Sequence, residues 1–410
     1  MLSRLLLVVS LFVFTSVNAF AANQSLSPKT YQALNDIQTL LIEEKYSEVE
    51  EGLKELEENL TPGFGLALTY QIHAQLFLAQ EDSAQALVFF NKALELEAMK
   101  AVQAVSLATN VAQLYLASSN VAGAIKVLQP RIEAAEEEKP GSTNAMAFIT
   151  LGSAFQVKQD FINAIIWLKQ GIARAKSPRE NWLQMLMAAH YQLKQYPQAI
   201  SVLDQLIAIN ESKEEYWLQQ ASLNQLLNSP KEALKVLQLA HVRNILEKED
   251  GLITLVQLLI TQGVPERAGR TLHDLLKQGK IELTEDNWKL LASAWLQSRE
   301  RKQAIVAFIK AAQISLASDK KAAAKLYYRA AQLQFDESDF VGAITSYSES
   351  RKLGINGKKA GMTLLMQGNA YFELEDYVNA KLYFSKALKE PNTTNSARAW
   401  LDYMEQLELF

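Results

Sequence analysis

The stretch GNAYFELEDYVNAKLYFSKAL, Gly368 to Leu388, decides the fold. Its apolar residues recur three and four apart, the spacing of one face of an α-helix. It opens on a glycine, and a small alanine, Ala380, stands among large apolar neighbours. Glycine inside a helix costs about 1 kcal/mol relative to alanine, so close packing has to offset it.

Aligning the chain on Ala380 exposes a repeat. Small or medium apolar residues recur at Val49, Ala86, Ala124, Ala164, Ala199, Ala233, Ala268, Ala304 and Ala343, with gaps of 34 to 40 residues. Four residues after each comes a large apolar side chain: Leu53, Phe90, Leu128, Leu168, Leu203, Leu237, Leu272, Phe308, Tyr347 and Phe384. Several units add a small residue seven after the alanine: Ala93, Gly171, Ala240, Ala311 and Ala387. The preceding helix repeats too. Gly368 and Tyr371 match Leu151-Gly152 with Phe155, and Leu291-Ala292 with Trp295; Trp182, Trp217 and Trp288 share an early position.

Turn breakers fall between the periodic segments, at Pro62-Gly63, Pro140-Gly141, Pro178, Gly279, Gly354 and Pro391. No strand-like alternation competes with the helical pattern. Ser27-Pro28 has the form of a helix start.

This pattern resembles the tetratricopeptide repeat, W-x2-L-G-x2-Y…A-x3-F. The resemblance covers almost the whole chain after the N-terminus as about ten units, with those around Gly152 and Gly368 the nearest to it. It implies an all-α fold: a right-handed superhelical solenoid of helix hairpins with a C-terminal capping helix. Gly152, Ala164, Trp217, Trp288, Ala304, Gly368, Tyr371, Ala380, Phe384 and Ala387 are then packing residues. In NSARAWLDYMEQLELF, Asn395 or Ser396 would cap the last helix, with Trp400, Met404 and Leu407 on its packing face. Residues 22–141 and 142–391 divide the repeats at Pro140-Gly141, the expected flexible point, and 392–410 form the cap.

The chain has 410 residues, 49% hydrophobic and 21% charged, with net charge -4, which points away from nucleic acid as a partner. Residues 1–21, MLSRLLLVVSLFVFTSVNAFA, have a basic start, an apolar run and a small-x-small site, the form of a cleaved secretory signal, with an uncleaved N-terminal anchor as the alternative; the run is short for a span. The sequence has no cysteine, which excludes disulfides, thiolate metal sites and a lipid-anchor cysteine. Its four histidines, His73, His190, His241 and His273, have no metal-ligand spacing, and no nucleotide or hydrolase motif occurs. The expectation is a protein without cofactor, metal or enzymatic activity. The glutamates of EEKYSEVEEGLKELEEN, residues 43–59, read as a solvated helix face.

In the family, the first helix of each unit lines a groove for peptide segments. Carried onto this sequence, that places Gln71, Gln75, Asn110, Gln113, Ser153, Gln156, His190, Tyr191, Gln225, Lys289 and Asn369 in the groove. The set is rich in amides and poor in cations, so it departs from the family's carboxylate-clamp pattern and suits hydrogen bonding to an extended segment. The signal, the repeat-filled chain and the missing lipid anchor resemble the periplasmic tetratricopeptide proteins that accompany TonB–ExbB–ExbD systems. That resemblance implies an accessory scaffold in iron-chelate import, peripherally associated with the inner-membrane complex, with TonB, ExbB or ExbD as partners. A scaffold for assembly of outer-membrane proteins, polysaccharide or pili is the alternative.

Overall fold

The computed structural model describes residues 26–409; the expected signal lies outside the described residues. All regular structure among them is helical, and no helix is long and apolar enough to cross a membrane. The helices alternate as A and B members of ten hairpins, followed by a single last helix.

One compact unit runs to Leu206. Its hairpins are α1 (Pro28–Ile42) with α2 (Tyr46–Asn59), α3 (Phe64–Ala79) with α4 (Ser83–Glu95), and α5 (Ala101–Ala117) with α6 (Val121–Glu138). They continue with α7 (Ala145–Val157) and α8 (Phe161–Arg174), then α9 (Glu180–Gln192) and α10 (Tyr196–Ile209). A second compact unit starts at Ile207. It contains α11 (Glu214–Leu226) with α12 (Pro230–Val242), α13 (Glu249–Thr261) with α14 (Pro265–Lys277), and α15 (Glu285–Gln297) with α16 (Arg301–Ser315). The pairs α17 (Lys320–Asp336) with α18 (Phe340–Lys352) and α19 (Lys358–Glu373) with α20 (Tyr377–Ala387) follow, and α21 (Thr394–Gln406) closes it.

The repeat register is the packing register. Every alanine-position residue from Val49 to Ala380 is fully buried, on the B helix of its hairpin. The large residue four positions on is buried with it in nine units; in the other, Phe308 is half-buried. A β-carbon on Gly152 would lie 2.8 Å from Leu168, and one on Gly171 2.8 Å from Ile149. Both glycines therefore sit where backbones of adjacent helices approach. In the first unit the core gathers around Leu34, Val49 and Leu53, then around Phe90, Leu128 and Phe148. In the second, Leu237, Leu255, Leu272 and Leu291 belong to one cluster, and Phe384 and Met404 to another.

The A-to-B turns share one geometry. Each passes a residue with φ between 53° and 76°: Glu44, Glu81, Ser119, Gln159, Lys194, Asn228, Gly263, Arg299, Ser338 and Glu375. The residue after it donates its N–H back into helix A, as Asp82 does to Phe77 at 2.8 Å and Asp376 to Tyr371 at 3.0 Å. This is the Schellman closure of a helix end. The same residue then caps helix B: Asp82, Asn120, Asp160, Asp339 and Asp376 each accept from the N–H three residues on.

Pro140-Gly141 lies inside the first unit, whereas the division between units falls at Leu206 and Ile207. The extra residues of that repeat lengthen α6 to 18 residues. Glu136 on α6 accepts N–H bonds from Gly141 and Thr143, both at 2.9 Å, and from Arg174 of α8 at 2.6 Å. Burial pushes the Glu136 carboxyl up, but those hydrogen bonds outweigh it and hold its pKa at about 2. The turn expected to be a hinge is thus tied to α6 and, through Glu136, to α8.

A second set of ties links successive repeats in the second unit. The first residues of α11, α13 and α15 are Glu214, Glu249 and Glu285. Glu214 accepts the Lys248 N–H at 3.2 Å, and Glu249 accepts the Glu282 N–H at 3.1 Å and the Asn287 amide at 2.8 Å. Glu285 makes its tie within its own hairpin instead, accepting the hydroxyl of Ser315 at the end of α16 at 2.6 Å.

At the ends, Ser27 caps α1, accepting the Thr30 N–H at 3.0 Å. The last helix departs from expectation. It starts at Thr394, with Thr393 at the cap position rather than Asn395 or Ser396; the Thr393 hydroxyl makes no cap bond and donates instead to the Ala387 carbonyl at 2.8 Å. Met404 is buried and Trp400 packs against Phe384 at 5.4 Å, whereas Leu407 is exposed.

Candidate functional site

In the first unit, α5 packs against α7 and α7 against α9, so consecutive A helices form one face. That face is indented by a recess of about 240 Å³ between α5, α7 and α9. Leu116, Met146, Ile149 and Met185 supply its apolar lining. Gln113, Thr150, Ser153 and Asn181 supply amides and hydroxyls, with Gln113 donating to Thr150 at 3.4 Å. Trp182 lines it too, with the Arg179 guanidinium 5.3 Å from its ring centre. An apolar floor with a few directed polar groups is the usual make-up of a site for a peptide side chain.

Two sequence-assigned residues, Gln113 and Ser153, thus meet in this recess. Gln71 and Gln75 are half-buried on α3, Gln156 is half-buried on α7, and Asn110 is exposed on α5. Tyr191 is 46% exposed on α9 and stacks obliquely with Tyr196 at 6.0 Å. His190 is buried and lines a different recess, between α8, α9 and α10.

In the second unit, Gln225 is exposed on α11. Lys289 is bonded to Asp286 at 2.7 Å and Glu285 at 3.1 Å; the hydrogen bond to Asp286 is the leading cause of its raised pKa. Its charge is therefore spent on its own helix. Asn369 on α19 donates to the Met366 sulfur at 3.8 Å.

The repeat's groove positions do not mark Met146, Met185, Arg179 and Asn181 as lining residues, and the repeat gives Trp182 only a packing role. One signal was available: Met146 stands six before Gly152, as the surface-reaching Met362 stands six before Gly368.

Of the other histidines, His273 is exposed on α14, and His73 and His241 have structural surroundings. His73 contacts Glu57 at 2.6 Å and lies against Phe89, with ring centres 3.9 Å apart. His241 is held below its ordinary pKa by burial and by Lys280 and Arg267. Among the described residues, no group of three His, Asp or Glu side chains could hold a metal ion.

No family model matches the sequence, and no curated protein matches it. Solved structures do. One, of Naa15/Naa10 bound to HypK-THB, aligns with a TM-score of 0.50 at 14% identity, over 88% of this chain and 58% of that one. The fold is a tetratricopeptide-type α-solenoid. The present chain spans 58% of the length of that relative in structure. The C-terminal part of a tetratricopeptide protein from Cytophaga hutchinsonii aligns with a TM-score of 0.38 at 15% identity, over 70% of this chain and 97% of that one. The complex of the TPR2AB domain of yeast Sti1 with pHSP90 aligns with a TM-score of 0.30 at 15% identity, over 78% and 99% of the two chains. At these identities the similarity bears on the fold alone.

Proposed function

We propose that this protein is a non-catalytic scaffold that binds segments of other proteins along its A-helix face. The observation that carries this reading is the recess between α5, α7 and α9, where Gln113 and Ser153 stand over a methionine-lined floor. Methionine adapts its shape to varied partner side chains, and the amides pair with a partner's backbone. The structural relatives named above include proteins in complex with protein partners, which is consistent with this use of the fold.

The finer reading is an exported, periplasmic accessory of a TonB–ExbB–ExbD system in iron-chelate import. It is supported by the signal-like residues 1–21 and the absence of a lipid-anchor cysteine. The test is mild cross-linking in the native cells and capture of the tagged protein, alongside a Met146→Asp, Met185→Asp double variant. Recovery of TonB, ExbB or ExbD by the native protein, and its loss in the variant, supports both levels. Recovery of outer-membrane assembly or export components instead overturns the TonB assignment and keeps the scaffold. Equal recovery by native and variant protein overturns the recess as the binding site.

A further inference from the structure

The recess that His190 lines lies between α8, α9 and α10 and measures about 280 Å³. Its one charged lining side chain is Lys169, and Gln198, Ser201 and Gln205 add neutral polar groups. No carboxylate lines it. It is separate from the α5–α7–α9 recess and independent of the scaffold reading.

His190 is 2% exposed, and its Nδ1 is held by the Gln195 side-chain oxygen at 2.6 Å. An amide oxygen only accepts, so Nδ1 carries the hydrogen. That contact belongs to the turn: at the equivalent place in the second unit, Gln334 donates to Asp339 at 3.0 Å. The other ring nitrogen, Nε2, makes no hydrogen bond among the described residues.

We propose that this recess binds a carboxylate, paired with the Lys169 ammonium and accepting a hydrogen bond from His190 Nε2–H, with affinity that rises as the pH falls. The ring takes that proton from solvent, and no other bond changes. Burial, and then the Lys169 charge, holds His190 below its ordinary pKa, so the empty site contains a neutral ring with a lone pair at Nε2. A bound carboxylate offsets the Lys169 charge and accepts from the protonated ring. Binding and proton uptake are thereby linked. The other charged groups on the surrounding helices do not oppose this. α7 has none, Arg174 of α8 bonds to Glu136, and Glu180 of α9 and Asp204 of α10 already have partners.

The test is NMR titration of the His190 ring in the full chain, alone, with glutarate, and with a blocked helical peptide carrying one glutamate. The expected result is an upward shift of the His190 titration midpoint with either probe, and binding at least about threefold tighter near pH 5.5 than near pH 7.5. Lys169→Met, at an exposed position, should abolish both effects while the midpoint of the free ring moves up. A larger effect from glutarate identifies a small organic acid as the ligand. A larger effect from the peptide identifies an acidic side chain of a partner. An unchanged midpoint with both probes, or effects that survive Lys169→Met, overturns the proposal.

Discussion

A β-carbon added to Gly368 would lie 2.6 Å from the ring of Phe384, closer than packed atoms approach. Helix propensity alone would make alanine the better residue at this position by about 1 kcal/mol. The ring reverses that preference. Gly368→Ala should destabilise the protein by about 1–3 kcal/mol, through overpacking. Ala380→Leu, at a fully buried position, should do the same. Thermal melting checks both, and a melting temperature unchanged or raised in both variants would refute this packing register.

The Glu214 carboxylate is buried and accepts the Lys248 N–H. Glu214→Ala should leave that amide without its partner, at a cost of about 1–3 kcal/mol. Hydrogen exchange at Lys248 should accelerate, with Glu282, tied by Glu249, less affected. Unchanged exchange at Lys248 would show that the tie contributes nothing.

The Glu136 clamp carries a pH signature. Its folded pKa, about 2, lies below the ordinary value of 4.5. Its stabilising contribution is therefore present above the unfolded value and lost as the pH falls through the folded one. Amides at residues 138–144 should lose protection between about pH 4.5 and pH 2. Glu136→Gln should show weak protection already at neutral pH. Equal protection in native and variant protein would restore the turn as a hinge.

Glu375 holds a left-handed backbone, φ 62°, which strains any residue with a β-carbon. Glu375→Gly should stabilise by about 0.5–1 kcal/mol after the added chain entropy of glycine is subtracted. Asn228→Gly should change little, because asparagine already tolerates that conformation. Denaturant titration of both variants decides, and a loss of stability in Glu375→Gly would contradict the argument.

Ala380, Phe384 and Gly368 made the hairpins legible in sequence because burial demands the same side-chain sizes in each repeat. The proline and glycine breakers were informative as well, but they all mark B-to-A joints, such as Pro178 between α8 and α9. The A-to-B turns were harder to see. Nine of their ten left-handed residues are not glycine, and Glu81-Asp82 or Glu375-Asp376 looks like ordinary surface charge. The candidate site was half legible: Gln113 and Ser153 followed from position in the repeat. Arg179 and Asn181 stand at the start of α9, where their approach to α5 and α7 depends on how neighbouring hairpins pack. Distance along α9 does not show which side of the helix His190 faces, and in the structure it lines the α8–α9–α10 recess.

The left-handed residue and the buried small residue of helix B are always five apart, from Glu44 and Val49 to Glu375 and Ala380. The repeat itself varies from 34 to 40 residues, so that variation lies outside this five-residue segment. One residue inserted between Asp376 and Ala380 would turn the rest of α20 by about 100° and carry Ala380 off its contact. The same insertion after Pro391 would fall in a joint. Changes of chain length are therefore filtered by where they land: each hairpin is inherited as an indivisible word, and the spacing between words is free to drift.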